Sequence, residues 1–294
     1  MKLYDRQFLG AENEYADWQT ARYAVLPVPY EGAVSYGRGA AAAPDAILEA
    51  SGYLEFYDEV LRTCPHQAGI VTVMPPPISD NHAEMHETIY RHTKEIVDAG
   101  KIPVILGGDH SISSGVFRAL KEAHNNLSCI QLDAHADLRH KYEGSIYSHA
   151  SVMARIREMT PHTLQLGIRS MSQQEAETVA HNDIRLYTMH EIRRAYFPLE
   201  NILAALPDPV FITFDLDAFD WSVIAGTGTP EPGGFLWDEA IELLRTVFER
   251  KRVVGFDAVE LAADPHDRNS PFAAAKLIYK MIAFCSAHCE GNNS

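Results

Sequence analysis

Three apolar runs in this chain stop abruptly at acidic residues and histidines, and that pattern limits the folds open to it. Ile102–Leu106 runs into Gly107-Gly108-Asp109-His110-Ser111. Leu127–Leu132 runs into Asp133-Ala134-His135-Ala136-Asp137, and Pro209–Phe214 into Asp215-Leu216-Asp217. Short apolar runs of this kind suit strands buried on both faces. Successive strand side chains point to opposite faces, so Asp133, His135 and Asp137, spaced two apart, share one face. The alternative is a polar face turned to water. Such a face more often carries Lys, Glu or Thr than two Asp flanking a His.

The other segments fall into alternation with these three. Tyr23–Val28, Gly69–Val73, Thr163–Ile168, Ile184–Tyr187 and Arg252–Phe256 read as further strands. Helices are expected from Pro44-Asp45 onward, from an Asp80 or Asn81 cap to Ala99 with Gly100 as the stop, and over Ser113–His124. More are expected over His149–Met159, Ser172–Ala180, Glu200–Leu206, Leu236–Arg250 and Pro271–Phe284. Strands alternating with helices predict an α/β protein whose mainly parallel sheet is covered on both faces. Residues 1–20 read as a surface arm, Arg139–Ser148 as a polar loop and Ala225–Phe235 as a glycine-rich loop. No linker or compositional shift divides the chain, so one domain over 1–294 is expected.

Composition narrows the function classes. The formal net charge of -15 argues against nucleic-acid partners. No apolar run is long enough to span a membrane, and the start lacks the apolar stretch of a signal peptide. Cys64, Cys129, Cys285 and Cys289 show no disulfide framework and no C-x-x-C spacing. Cys285, His288 and Cys289 would need ligands from elsewhere to hold zinc, and the end of a helix is the expected reading. All of this suits a cytoplasmic protein.

Open α/β sheets carry their sites at the carboxyl ends of strands. The three acidic strand ends would therefore converge. Each is a weak signal alone, but together they bring at least four carboxylates and two imidazoles to one place. Carboxylates so crowded repel one another and rise in pKa unless cations intervene. Two divalent metals bridged by carboxylates, about 3.5–4 Å apart, would resolve the repulsion and acidify a bridging water for hydrolysis. An oxygen-rich set with imidazole and no thiolate suits Mn²⁺ better than structural Zn²⁺.

At this point the chain resembles the ureohydrolase (arginase/agmatinase) family, most closely its agmatinase branch. The resemblance rests on G-G-D-H-S, D-A-H-A-D, D-L-D-A-F-D with G-T-G-T-P-E-P-G-G, and G-F-D-A-V-E, in order over nearly the whole chain. It implies a three-layer α/β/α fold with a central, mainly parallel sheet of about eight strands. It also implies two Mn²⁺ per subunit and urea as a product. By motif, His110, Asp133, Asp137 and Asp215 would bind one manganese. His135, Asp133, Asp215 and Asp217 would bind the other, with Asp133 and Asp215 bridging. A metal-bridging hydroxide would attack the guanidinium carbon, and Asp137 would orient it. Glu260 would pair with the guanidinium, and His149 would carry the proton to the leaving amine. His149 lies 12 residues beyond Asp137. A surface or helix-capping role is its alternative.

The chain departs from the family where substrates are distinguished. Trp221 stands where Pro is frequent after Asp220, and Ala225 where Pro often precedes G-T-G-T-P. The loop Arg139–Ser148 lacks the motif with which arginases hold an α-carboxylate. The expected substrate is a cationic guanidino compound: agmatine giving putrescine, or N1-aminopropylagmatine giving spermidine. Glu31, Glu55 and Asp58 could draw its distal ammonium or be merely structural. Asp109 is expected beneath the site, and Asp220 to orient the loop or a ligand. Other readings stay open: another guanidino substrate (guanidinobutyrate, arginine, guanidine or formiminoglutamate), a single-zinc deacetylase on the same architecture, or a non-catalytic metal-binding paralogue. A homo-oligomer, trimer or hexamer, is implied.

Overall fold

The acidic strand ends converge because every strand points the same way. The computed structural model describes residues 1–32, 35–194 and 196–291, the last four without side chains. Its strands are β1 (Tyr23–Val28), β2 (Ile70–Thr72), β3 (Ile102–Gly107), β4 (Ser128–Leu132), β5 (Thr163–Ile168), β6 (Arg185–Thr188), β7 (Val210–Asp215) and β8 (Val253–Val259). They form a sheet of order β2-β1-β3-β8-β7-β4-β5-β6, and each neighbouring pair is parallel. Parallel neighbours need crossover connections, and helices supply most of them. These are α1 (Ala43–Ser51), α2 (His82–Asp98), α3 (Ser113–Ala123), α4 (Val152–Met159), α5 (Gln173–His181), α6 (Met189–Ile192), α7 (Leu199–Ala204), α8 (Trp237–Arg250) and α9 (Asn269–Gly291).

Strand alternation divides the core into two layers. On β4, Ile130 and Leu132 join Ile47 and Leu48 of α1, Leu244 and Phe248 of α8, and Leu277 and Met281 of α9. Cys129 faces the other way, into a cluster with Met85 and Ile89 of α2, Val116 and Phe117 of α3, and Met153 and Ile156 of α4. This is the three-layer α/β/α arrangement. Full burial of each such aliphatic or aromatic side chain contributes about 1.5–3 kcal/mol. The strand order jumps between β3 and β4, with β8 and β7 inserted between them. Such a reversal opens a crevice at the carboxyl edge.

Local signals hold at most boundaries. The Asn81 side chain accepts the N–H groups of Ala83 and Glu84 at 3.0 and 3.1 Å, and Gly100 beyond α2 takes a φ of 73°. Four details differ from the sequence reading. Residues 1–20 are not a loose arm: Tyr4 N–H donates to Thr72 O at 3.0 Å, and Phe8 and Leu9 are buried. The segment covers the β2 edge, which a bare edge strand would leave open to foreign pairing. Strand β8 continues past Phe256 to Val259, because Asp257, which breaks the apolar run, still pairs in register with Thr213. His149–Ser151 is a 3-10 turn that leads into α4. The short α6 follows β6 directly, started by a Thr188–Glu191 capping box.

Cys285 is buried on α9, while the side chains of His288 and Cys289 lie outside the described residues. No helix among the described residues is long and apolar enough to cross a membrane.

Candidate metal centre

Each candidate ligand is held by the turn that ends its strand. His110 opens a 3-10 turn after β3, and the Asp109 side chain caps that turn by accepting Ser111 N–H at 3.0 Å. Gly108 is required just before it: a Cβ there would stand 1.8 Å from Tyr30 O. Beyond β4, Asp133 Oδ1 accepts His135 N–H at 2.6 Å. Beyond β7, Asp215 Oδ1 accepts Asp217 N–H at 2.9 Å, and Asp217 Oδ1 accepts Ala134 N–H at 3.0 Å. The last bond ties the two turns together. The β4–β7 register places Leu132 opposite Phe214, so Asp133 and Asp215 are the next residues along adjacent strands.

Two groups of acceptors result. His110 Nδ1 stands 3.2 Å from Asp133 Oδ2, 3.0 Å from Asp137 Oδ2 and 3.2 Å from Asp215 Oδ2. His135 Nδ1 stands 2.9 Å from Asp217 Oδ2 and 3.6 Å from Asp133 Oδ1. Asp133 thus offers one oxygen to each side. In the sets His110–Asp133–Asp137 and Asp133–His135–Asp217, ligand atoms lie within 4.8 Å of one another. All six residues expected as ligands are brought together.

Their electrostatics are those of a site made for cations. Burial, then the charges of Asp217 and Asp133, pushes the Asp215 carboxyl well above its ordinary range. Burial and the charge of Asp133 push Asp137 up to about 7. Asp133 is also deeply buried, yet its contacts with His110 and His135 outweigh burial and hold it below the usual carboxylate range. His110 is raised despite burial, by the three carboxylates around Nδ1. His135 is raised against burial to about 12, chiefly by Asp217 and Asp133.

The donor set fits divalent metal. His110 Nδ1 is buried without a hydrogen bond, while its Nε2 lies 2.9 Å from Thr213 Oγ1. A ring held at one nitrogen and pointing the other at three carboxylates is the usual posture of a metal-ligating histidine. Oxygen and imidazole donors without thiolate suit Mn²⁺ and related hard or borderline ions.

A cavity of about 260 Å³ opens onto these residues, and Ser35, Tyr142, His149 and Glu260 also line it. His149 Nε2 lies 2.9 Å from Ser35 Oγ, and its ring meets Tyr142 edge-on at 5.6 Å. Glu260 Oε1 accepts His110 N–H at 2.6 Å. Burial, then the charge of Asp109, raises the Glu260 carboxyl well above its usual range. Asp137 and Glu260 both hold positive φ, 53° and 64°. Such backbone is uncommon outside glycine and clusters at functional sites. A larger hollow of about 690 Å³, beside Lys141, Arg155 and Asn182, contains none of the candidate ligands.

The remaining acidic candidates have structural partners. Asp109 is buried below the site and accepts Gly32 N–H at 2.7 Å. Asp220 accepts Ser222 N–H and Gly233 N–H, each at 3.0 Å, and so shapes the glycine-rich loop. In that loop Gly234 permits close approach, since a Cβ there would meet Phe219 backbone at 2.4 Å. Glu31 accepts Gly39 N–H at 2.9 Å, Asp58 lies 2.9 Å from buried Lys280, and Glu55 is exposed.

Sequence reasoning passed over Arg169. Its guanidinium donates to Asp217 O at 2.6 Å and Glu231 O at 2.7 Å, and also to Gly167, Ala218, Phe219 and Pro232 carbonyls. It clamps the glycine-rich loop against the Asp217 turn. A lone arginine just past an apolar run was its only visible trace.

Comparison with known proteins agrees with this geometry. The profile of the Arginase family matches residues 21–283. The chain is 38% identical over 289 residues to the N(1)-aminopropylagmatine ureohydrolase of Synechocystis sp., covering 95% of this chain and 94% of that protein. It is 32% identical to the agmatinase of Pyrococcus horikoshii, covering 96% and 98%. The crystal structure of agmatine ureohydrolase of Thermoplasma volcanium superposes with a TM-score of 0.88 at 26% identity, covering 98% and 97%. With the parallel sheet, the paired acceptor groups and these likenesses together, the chain belongs to the arginase (ureohydrolase) family and is an agmatinase-like hydrolase.

Proposed function

We propose that this chain is a manganese-dependent ureohydrolase that releases urea from N1-aminopropylagmatine or agmatine, leaving spermidine or putrescine. The observation that carries the reading is the pair of His/Asp groups that share buried Asp133, whose other members line one cavity together with Glu260. The names of the curated relatives support the substrate, the Synechocystis protein favouring the aminopropyl compound.

One ion would be held by His110, Asp133, Asp137 and Asp215, and the other by Asp133, His135, Asp215 and Asp217. Two divalent cations bound there would neutralise the carboxylates and acidify water, furnishing hydroxide near neutral pH. Glu260 meets the planar guanidinium as a charge-assisted hydrogen-bond acceptor. Its Oε1 already accepts one N–H, and a carboxylate has further lone-pair sites for the substrate. Asp137, whose Oδ2 faces His110 Nδ1 in the first group, would also orient the nucleophile. Hydrolysis breaks the C–N bond to the amine, and the departing nitrogen needs a proton. His149 lines the cavity and delivers it, with Ser35 Oγ positioned to hand a proton to or from the ring.

The chain acts as one catalytic domain, in a homo-oligomer (trimer or hexamer) of the cytoplasm, on a cationic small molecule. The test is urea release from a panel of guanidino compounds with and without added Mn²⁺. Metal-stimulated urea from N1-aminopropylagmatine or agmatine is expected. Urea from arginine or guanidinobutyrate alone would replace the substrate, and no urea from any member would end the ureohydrolase reading. Sedimentation analysis reads the assembly.

A further inference from the structure

Beneath the acceptor groups lies a second polar row that the proposed reaction does not use. Gln165 on β5 pairs in register with Gln131 on β4, and Gln131 with Thr213 on β7. Thr213 pairs in turn with Asp257 on β8. All four are fully buried. Each side chain leaves the sheet on the face that also carries Cys129 and Phe211, toward α2, α3 and α4. Two ladders climb that face to the site: Cys129, Gln131, Asp133 on β4 and its exit, and Phe211, Thr213, Asp215 on β7. Each runs from apolar through neutral polar to carboxylate.

The row is bonded upward to the two residues that organise the acceptor groups. Gln131 Nε2 donates to Asp133 Oδ2 at 2.6 Å. Gln131 Oε1 accepts from Gln165 Nε2 at 2.5 Å, and the same nitrogen donates to Ala136 O at 2.7 Å. Gln131 therefore cannot turn its amide over without losing both bonds. On the other ladder, Thr213 Oγ1 donates to Ser113 Oγ at 3.2 Å. Its lone pair is then directed at His110 Nε2, 2.9 Å away. That polarity makes Nε2 the donor and leaves Nδ1 facing Asp133, Asp137 and Asp215.

Burying amides and hydroxyls in a sheet core is costly unless they are bonded, and a bonded network rigidifies its surroundings. Four aliphatic residues at these positions would suit a parallel sheet better. We propose that Gln165, Gln131 and Thr213 are positioning residues: they fix the carboxyl plane of Asp133 and the ring of His110 so that divalent metal meets acceptors already in place. Thr213 acts through His110, which belongs to one acceptor group. Gln131 acts through Asp133, which belongs to both. The two arms of the row thus carry different consequences.

This inference rests on the two-metal reading above, and the experiment separates them. Full-length protein is stripped with a chelator and titrated calorimetrically with Mn²⁺ alone, with metal content measured independently. The unaltered protein takes up two equivalents. Thr213→Val weakens one equivalent about 10–100-fold, the range for losing a group that orients a metal ligand, and spares the other. Thr213→Ser, which keeps the hydroxyl, restores it. Gln131→Met weakens both equivalents. Should that variant fail to fold, Gln165→Met is read in its place, with weakening of both again expected. The melting temperature of metal-free Thr213→Val stays close to that of the unaltered protein. Variants that bind both equivalents normally would overturn the inference. So would weakening of both sites by Thr213→Val in step with lost metal-free stability, which is mere packing. Fewer than two equivalents in the unaltered protein would defeat the two-metal reading instead. The inference is then decided by the metal-free crystal structure of Thr213→Val: a His110 ring rotated away from Asp137 supports it, and an unmoved ring refutes it.

Discussion

His110 Nδ1 stands 3.0 Å from Asp137 Oδ2, and Asp137 holds that position with a backbone φ of 53°. The chain past β4 thus brings this carboxylate to the end of β3, although β8 and β7 lie between the two strands. Asparagine tolerates the same backbone region, so Asp137→Asn changes the charge and keeps the turn. We expect urea release to fall more than ~100-fold, beyond the usual effect of altering a supporting residue. Bound manganese should drop by one equivalent, read by metal analysis. Full activity would remove Asp137 from the site.

The pH dependence follows from the same cluster. Asp137 is raised to about 7 in the folded protein. The folded state therefore holds more protons than the unfolded one between about pH 4 and 7, and metal-free stability falls as pH rises through that window. His135, raised to about 12, contributes fully below about pH 6.5 and loses its contribution as pH climbs beyond. On the two-metal reading, bound metal would replace these protons. The gain in melting temperature on adding Mn²⁺ should be small near pH 5 and grow toward pH 8, and thermal melts with and without metal will show it. A gain that shrinks with pH would contradict the assignment.

His149→Ala should lower kcat about 100-fold or more, the contribution typical of a positioned acid–base group. Manganese content should not change, because His149, which meets Ser35 and Tyr142, is a member of neither His/Asp group. Steady-state kinetics beside metal analysis separates the two effects. Equal loss of metal and turnover would assign His149 a structural task.

Glu260→Gln keeps the acceptor for His110 N–H and removes the charge that would meet a guanidinium. Hydrogen bonds to charged groups contribute about 1.5–3 kcal/mol, so kcat/KM should fall roughly 10- to 150-fold. Metal affinity should change far less. An unaltered kcat/KM would place the guanidinium elsewhere.

Away from the site, Lys280 is buried on α9, 2.9 Å from buried Asp58 and 2.7 Å from Glu59. Lys280→Met leaves the Asp58 carboxylate without its cation and should cost about 3–5 kcal/mol. Adding Asp58→Asn should recover part of that. Denaturant melts of the single and double variants measure it, and additive losses would show that the pair is uncoupled.

The ligands were legible in the sequence because their geometry is local. Asp133, His135 and Asp137, like Asp215 and Asp217, could be read together because they crowd directly after an apolar run. The single strand face expected of them is not what groups them: they lie in turns past β4 and β7, with Asp137 at a φ of 53°. The mainly parallel sheet followed from apolar runs alternating with helices, and its eight strands from the family resemblance. Strand β8 was cut short at Phe256 because Asp257 looks like an end when its partner on β7 is unseen. The first 20 residues looked exposed because burial of Phe8 and Leu9 depends on the β2 edge they cover.

What the sequence determined by itself was which residues stand at which strand ends, and hence the donor chemistry of the centre. The sharing of Asp133 between two groups was implied by the family resemblance; only the tertiary structure decided that Arg169 clamps the loop over Asp217, and that Gln165, Gln131 and Thr213 line up beneath. Those relations depend on register between strands far apart in the chain. Register is set by packing both faces of the sheet at once, and no single strand carries that information.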